Sequence, residues 1–472
     1  MKKTKIIATF GPAIQDKKKL LKLVECGVNL FRINCSHGNK ADFNKAVRLI
    51  RSSLKETTFP VGILFDISGP KLRLGHFEGE LPIKTGETLT ITTATDDLAN
   101  STISVNHPDI ISSIKKKERV FIDDGNLIFE VVALGKNSAQ LKALNDGLVL
   151  PGKGINLPDS VIKIPTITSK DIEDIKTAVE AKVDYIALSF VRTADDILEA
   201  QKIIKHAGGD QHVIAKLEKK EAIDDIENIM LISDGVMIAR GDLGIELPFE
   251  ELPQLQKKII RLANINHKPV IVATQMLESM RFSPRATRAE VNDVASAVFD
   301  YVDAVMLSAE TATGKYPIET VQTMRRVIEA TEKVLPPVEA QIDEHLISSK
   351  TTASIAQAVS FSIEEGLSNY IMAYTASGFT AALISNLFPP QPVIALTNDE
   401  RVMNKLSLYR SVYAIKQKQP KSIEQMLQQI DGVCAKFRLT KKEERVVITG
   451  GVPFGKTQIT NFMMIHKTGV SK

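Results

Sequence analysis

Cysteine is scarce in this chain: Cys26, Cys35 and Cys434 are the only three in 472 residues. They form neither a CxxC pair nor a disulfide framework, so a reducing cytoplasm is the expected setting. Charge of one sign is equally short. With 60 basic residues against 56 acidic ones the formal net charge is +4, too balanced for a nucleic acid or an anionic membrane to be expected as partner. Long apolar runs are missing as well. The basic opening Met1-Lys2-Lys3-Thr4-Lys5 is followed only by Ile6-Ile7-Ala8 before polar and turn residues that run into Gly11-Pro12. Neither a secretory leader nor a membrane span is therefore expected. What remains is an ordinary globular balance, 43% hydrophobic and 25% charged, in a chain long enough for about three domains.

One rhythm fills most of it: a short apolar run ending in polar residues, then a helical pattern. The runs are Lys5–Thr9, Leu30–Asn34, Gly62–Phe65, Tyr185–Ser189, Val213–Lys216, Val236–Ala239, Val270–Ala273 and Ala304–Leu307. Apolarity without alternation marks strands buried on both faces. Amphipathic segments lie between them. Leu20, Leu21 and Val24 precede Gly27, a helix stop. Ile172, Ile175 and Val179 recur at helical spacing behind the N-cap hydroxyls of Thr168 and Ser169, and Val321, Met324, Val327 and Ile328 repeat the pattern. Eight such units predict an α/β fold built on a (β/α)₈ TIM barrel.

The rhythm breaks twice. Between Lys71 and about Pro165 short alternating runs appear (Leu81/Ile83, Leu89/Ile91, Val120/Ile122, Phe129/Val131) with turns such as Asp124-Gly125. They predict a small β-barrel domain inserted after the third barrel strand. After Leu335-Pro336-Pro337 a polar linker leads to a new α/β pattern, with strands expected at Tyr370–Tyr374, Val393–Leu396, Val412–Ile415 and Val446–Ile448. The expected domains are thus 1–70 with 166–337 (barrel), 71–165 (insert) and 338–472 (a doubly wound C-terminal domain).

A parallel barrel carries its active site at the C-terminal ends of its strands. Here those ends hold Arg32, Asn34, Asp66, Lys216, Glu218, Arg240, Asp242, Thr274, Ser308 and Glu310. Cations, carboxylates and hydroxyls on one rim suit a metal-bound phosphorylated anion. Any one of them alone is as often a solvated or ion-paired strand end; the convergence carries the reading. Lys216 and Glu218, two residues apart on a strand, share a face. Glu218 and Asp242 can hold Mg²⁺ through oxygens, with substrate atoms and water completing an octahedron. Lys216 beside that ion would neutralise charge on a transferring phosphoryl group. The glycines of Arg240-Gly241-Asp242-Leu243-Gly244 let backbone amides approach an anion.

Eight strings carry a resemblance to a known family: TKIIATFGPA (Thr4–Ala13), RINCSHG (Arg32–Gly38), DISGPKLR (Asp66–Arg73), KGINLP (Lys153–Pro158), ARGDLGIELP (Ala239–Pro248), ATQMLESM (Ala273–Met280), SPRATRAEVNDVA (Ser283–Ala295) and MLSAETATGKYP (Met306–Pro317). They resemble the pyruvate kinase signatures, in family order and over essentially the whole chain. The resemblance implies phosphoryl transfer from phosphoenolpyruvate to ADP, giving pyruvate and ATP, the last step of glycolysis. It implies Glu218 and Asp242 as ligands of Mg²⁺, or of Mn²⁺ in its place. It implies that the amides of Gly241 and Asp242 and the Thr274 hydroxyl hold the substrate carboxylate, with Arg32 and Lys216 on its phosphate. Lys216 would also steady the enolate, which a water network near Thr274 and Ser308 would protonate. Asn34, His37, Arg73 and Lys153 match nucleotide-facing positions, Lys153 arriving from the insert, which would act as a lid. His37, in a Ser-His-Gly turn, can equally be a loop cap. A cytoplasmic homotetramer is the family expectation.

Two departures matter. Many relatives bind K⁺ at positions matching Asn34, Ser36, Asp66 and the Ile67 carbonyl, and those that require it carry a GPE string. Here the string is Gly69-Pro70-Lys71. A lysine ammonium can stand roughly where K⁺ would sit, so no K⁺ requirement is expected; the alternative is a solvated hinge lysine. The loop Thr375-Ala376-Ser377-Gly378-Phe379-Thr380-Ala381 resembles the family's loop for sugar-phosphate activators, with Thr375, Ser377, Gly378 and Thr380 as its contacts. Phe379 stands where many relatives carry Arg, and the late loop Gly450–Thr460 has Lys456 but no Trp or Arg. A sugar phosphate or a nucleotide monophosphate is the expected effector, against a vestigial loop that only packs. Two other readings compete: a lyase or aldolase on a related barrel, which would have no use for Lys153 or the C-terminal domain, and an inactive metabolite sensor, which would lack one of Lys216, Glu218, Asp242 and Thr274.

Overall fold

A computed structural model describes residues 1–55, 57–160, 164–336, 338, 350–453 and 460–469. Eight parallel strands close into a barrel: Lys5–Thr9, Leu30–Asn34, Gly62–Ile67, Tyr185–Leu188, His212–Leu217, Gly235–Ala239, Val270–Ala273 and Ala304–Leu307. The first strand pairs with the last, Lys5 opposite Ala304, which shuts the cylinder. Their continuous apolarity has the cause inferred from the sequence. One face fills the barrel interior with Ile7, Leu30, Leu64, Tyr185, Ile214, Met237 and Ile271; the other packs on the helices.

The helices start and stop on local chemistry. Thr168 caps the helix Ser169–Glu180 by accepting from the Asp171 N–H, and Asp171 answers at the cap backbone, a reciprocal box. Gly27 ends the helix Lys17–Cys26 at φ +120, a conformation an L side chain rarely adopts.

The insert leaves the barrel after Ile67. Its main sheet has six strands: Thr88–Thr92, Thr102–Ser104, Arg119–Ile122, Leu127–Leu134, Ser138–Ala143 and Ile155–Asn156. They wrap a core of their own that includes Leu89, Ile91, Val120, Phe129 and Leu141. Leu81–Ile83 pairs separately with Gly147–Val149.

The C-terminal sheet has four parallel strands, Ile371–Tyr374, Val393–Thr397, Val412–Lys416 and Arg445–Gly450, with helices on both faces. A fifth strand, Phe462–Lys467, joins antiparallel at one edge; the four-strand expectation missed it. This domain covers the lower, N-terminal end of the barrel. Leu408 packs into the interior cluster, the Lys5 Nζ donates to the Val412 carbonyl at 2.5 Å, and the Arg410 N–H donates to Asp303 Oδ1 at 3.0 Å. Among the described residues, no helix is long and apolar enough to cross a membrane.

Candidate active site

At the upper rim, four charged side chains from three strand ends form one network. Arg32 Nε donates to Asp66 Oδ2 at 2.6 Å, and its Nη1 to the Thr9 hydroxyl at 3.1 Å. The Lys216 ammonium lies 3.0 Å from Asp66 Oδ1 and 2.8 Å from Glu218 Oε1, and donates to Ser189 Oγ at 2.7 Å. The Phe190 N–H donates to Glu218 Oε2 at 2.9 Å, which fixes that carboxylate's plane. All three partners of this centre are nearly sealed: Asp66 is 2% exposed, Glu218 1% and Lys216 9%. Burial alone would push the Asp66 carboxyl up, yet the Lys216 and Arg32 cations hold it below its ordinary value. Burial likewise works against the Lys216 ammonium, but Asp66 and Glu218 together hold it charged, above the usual lysine range.

The strand Gly235–Ala239 runs directly into the short helix Arg240–Glu246. The Gly241 N–H therefore meets the neighbouring strand end and donates to Thr274 Oγ1 at 2.8 Å. Thr274 and Gln275 follow one another in left-handed backbone, φ 69 and 53, each at roughly 1–2 kcal/mol. Arg240 holds the turn: its Nη2 donates to the Thr274 carbonyl at 2.8 Å while Nη1 pairs with Asp293 Oδ1 at 2.5 Å. Burial and the adjacent Glu218 charge raise the Asp242 carboxyl to about 6. Glu310 is buried and accepts from the Ser308 N–H at 2.7 Å and the Leu277 N–H at 3.2 Å, tying two loops together; burial raises its carboxyl as well.

Among the described residues there is no group of three or more His, Cys, Asp and Glu that could hold a metal. The oxygen donors are the pair Glu218 and Asp242. Burial first, and then the Glu218 charge, raise the Asp242 carboxyl, with Lys216 and Lys71 acting against them. Such a pair suits a hard, six-coordinate ion that keeps sites for water and substrate oxygens, as Mg²⁺ does.

The other anticipated residues are more dispersed. Asn34 Oδ1 accepts from the Ser36 N–H at 3.1 Å, and Ser36 and His37 are exposed in the turn that follows. Arg73 and Lys153 lie side by side on the insert: Arg73 bridges to Gly154 and donates to the Gly152 carbonyl at 2.7 Å, while Lys153 pairs with Asp123 at 2.7 Å. Lys71 is exposed and lines the cleft between insert and rim together with Asp124 and Asp242, whose carboxyl feels its charge. Both Asp66 oxygens, by contrast, are engaged by Arg32 and Lys216, and Ile67 is buried. In the C-terminal domain Thr375 and Thr380 are buried, bonded to the Gly378 N–H at 2.9 Å and to Thr460 at 2.7 Å, and only Ser377 is exposed. Lys456 lies outside the described residues.

Two participants escaped the sequence reading, and the role of a third was not seen. Thr9 and Ser189 are small hydroxyls at strand ends, a position that could have flagged them. Arg240 was noted at its strand end, but its hold on the Thr274 carbonyl depends on a left-handed turn that no motif announces.

Fold and rim define a class of barrel protein: a (β/α)₈ barrel whose charged rim lies under a β insert. Residues 1–321 match the family model described as the barrel domain of pyruvate kinase, and residues 353–466 the one described as its alpha/beta domain. The chain belongs to the pyruvate kinase family. It is 39% identical to the pyruvate kinase of Sporosarcina psychrophila, over 99% of this chain and 81% of that one. A pyruvate kinase of Agrobacterium vitis is 38% identical over 99% of both chains. The crystal structure of a pyruvate kinase from Cryptosporidium parvum superposes with a TM-score of 0.92 at 34% identity, covering 99% of this chain and 96% of that one.

Proposed function

We propose that this chain transfers the phosphoryl group of phosphoenolpyruvate to ADP with the residues named above in definite roles. The Arg32–Asp66–Lys216–Glu218 network is the observation that carries this reading. It presents two cations to an incoming phosphate without any rearrangement of their partners, the preorganisation that electrostatic catalysis requires. Lys216, locked between two carboxylates, stays protonated and faces first the phosphoryl oxygens and then the enolate oxygen. The amides of Gly241 and Asp242 and the Thr274 hydroxyl hold the substrate carboxylate, and Arg240 sets their mutual geometry. Protons reach the enolate carbon by way of the Thr274 and Ser308 hydroxyls and water. Glu218 and Asp242 would hold Mg²⁺, or Mn²⁺ in its place, which when bound would neutralise charge on the phosphoryl oxygens. Asn34, His37, Arg73 and Lys153 face the nucleotide.

Residues 71–165 form the lid, 1–70 and 166–337 the barrel, and 338–472 the regulatory domain. Closing the lid brings Arg73 and Lys153 over the rim and excludes water from a transfer that hydrolysis would otherwise divert. Lys71 supplies the positive charge that K⁺ supplies elsewhere; its action on Asp242 supports that role. The loop Thr375–Thr380 belongs to an effector site for a sugar phosphate or nucleotide monophosphate. A homotetramer is supported by large apolar side chains left exposed on both domains, Phe249 and Phe282 on the barrel and Phe361 on the C-terminal domain. The three free thiols, all buried, fit the cytoplasm.

Pyruvate release from phosphoenolpyruvate, ADP and Mg²⁺, run in parallel with K⁺ and without it, tests this. Equal rates support the full reading; activity only with K⁺ removes Lys71 from its role. Silence in both, from folded protein with sugar phosphates and nucleotide monophosphates added, refutes the assignment.

A further inference from the structure

The turn that follows the strand Tyr185–Leu188 touches both connections of the insert and two of the charged groups on the rim. Ser189 Oγ accepts from Lys216 at 2.7 Å, and the Phe190 N–H donates to Glu218 Oε2 at 2.9 Å. Arg192 Nη2 donates to the Thr166 hydroxyl at 2.8 Å, on the segment by which the chain returns from the insert. On the outgoing segment stands Gly69, at φ +65, and a Cβ at that position would lie 2.6 Å from Phe190 Cδ2. The hinge backbone therefore rests on the Phe190 ring with no room for a methyl group between them. Phe190 itself is held in left-handed backbone, φ 55, which a bulky L residue adopts only under constraint from its surroundings. Ring and hinge are each tied to the barrel as well. The Lys219 ammonium stands 6.0 Å from the ring centroid and is anchored at 2.6 Å by the buried Glu246, while the Gly69 N–H donates to Asp171 Oδ1 at 3.2 Å.

From these contacts we infer that Phe190 is a positioning residue: its ring takes up the position of the Gly69 hinge, and its N–H passes that position to the carboxylate of Glu218. The inference rests on the reading of residues 71–165 as a lid and of Glu218 as a Mg²⁺ ligand, and it adds how the two communicate. Glu218 has one oxygen on Lys216 and the other on the Phe190 N–H, and at 1% exposure it has little solvent to replace a lost donor. Moving that N–H away would free Oε2 to turn, and a six-coordinate ion is sensitive to the direction from which its oxygens approach. Close-packed side chains are nearly incompressible, so a displacement at Gly69 is passed on by the ring rather than absorbed. By linkage the effect runs both ways: an ion that fixes Glu218 also fixes the hinge.

The test is titration of the intact enzyme with Mn²⁺ in the absence of substrate, the free ion being read by electron paramagnetic resonance. Gly69→Ala and Phe190→Ala should each weaken binding about tenfold. In the double variant the added methyl group has no ring to displace, so Gly69→Ala should cost less than about twofold on the Phe190→Ala background. Phe190→Tyr keeps the ring and should bind as the parent does. Backbone hydrogen exchange across residues 68–74 reads the link from its other end: saturating Mn²⁺ should slow it in the parent and in Phe190→Tyr, but not in Phe190→Ala. A cleft that is merely rearranged would weaken the metal without severing that link. Equal losses from Gly69→Ala with and without the ring, or exchange that still responds to Mn²⁺ in Phe190→Ala, overturn the inference. Gly69→Ala deletes nothing from the cleft, so parental binding in that variant overturns it alone, whatever the truncation does to folding. Glu218→Gln separates the two claims. Parental Mn²⁺ binding there refutes the ligand reading itself, whereas binding lost in Glu218→Gln beside additive hinge variants leaves that reading standing and removes Phe190 from its role.

Discussion

Replacing Lys216 with Met removes the cation at the centre of the rim while roughly conserving side-chain volume. At 3.0 and 2.8 Å from two carboxylates, the ammonium contributes about 5–6 kcal/mol of attraction per contact at an effective dielectric of about 20. The variant does not lose that sum, because it also escapes the desolvation of a buried lysine. Deleting one partner of such a centre leaves a net deficit of about 3–5 kcal/mol, with Asp66 and Glu218 sealed and short of a cation. Catalysis loses more than stability, since the charge developing on the phosphoryl and enolate oxygens has lost one of its two fixed donors. A fall in kcat of at least about 10²–10³ is expected. Pairing K216M with Asp66→Asn removes one of the stranded charges. The double variant should be more stable than K216M alone by roughly 1–3 kcal/mol and remain as inactive. Coupled pyruvate release and urea unfolding read the two quantities separately. Activity within tenfold of the parent, or strictly additive stabilities in the double variant, would refute the reasoning.

Arg240→Met should release the Thr274–Gln275 turn, raising KM for phosphoenolpyruvate and lowering kcat/KM about a hundredfold, while circular dichroism stays unchanged; an unaltered KM would remove Arg240 from the positioning role. Lys71→Glu should convert the enzyme to one whose rate rises severalfold on adding K⁺, and a rate indifferent to K⁺ in this variant would count against the built-in cation. Asp303 tests linkage at the domain junction. Burial raises its carboxyl to about 6 from an ordinary 3.8, partly offset by the Arg410 and Val270 N–H groups. The folded chain therefore holds more protons than the unfolded one across that window, and about 3 kcal/mol of stability present at its acid end is lost as pH rises through 6. Asp303→Asn should flatten that limb in denaturant midpoints taken between pH 4 and 7; parallel curves for the two proteins would contradict it.

The barrel was legible because doubly buried strands cannot alternate: the predicted and observed runs at Lys5–Thr9, Leu30–Asn34, Val270–Ala273 and Ala304–Leu307 coincide. The rim residues were legible for a related reason, each lying within three residues of the end of such a run. Phe462–Lys467 was not, since an edge strand with mostly half-exposed residues has neither continuous apolarity nor clean alternation. Nor could the sequence show that Thr375 and Thr380 turn inward to bond Gly378 and Thr460. The junction between barrel and C-terminal domain was the least readable, because its contacts join residues about 400 positions apart (Lys5 to Val412 and Tyr413 to Lys2) through backbone carbonyls that have no sequence signature.

That junction also sets a timetable for the nascent chain. The strand Lys5–Thr9 finds its neighbour Ala304–Leu307 only about 15–60 s after it leaves the ribosome, at roughly 5–20 residues per second. Even then the cylinder is open below until Leu408 enters it and residues 410–413 engage Lys5 and Asp303. For most of its synthesis the chain exposes the apolar edges of an unclosed sheet, the kind of surface that general chaperones bind. A C-terminal truncation before Leu408 should therefore accumulate with chaperones or aggregate, where removal of the insert alone should not.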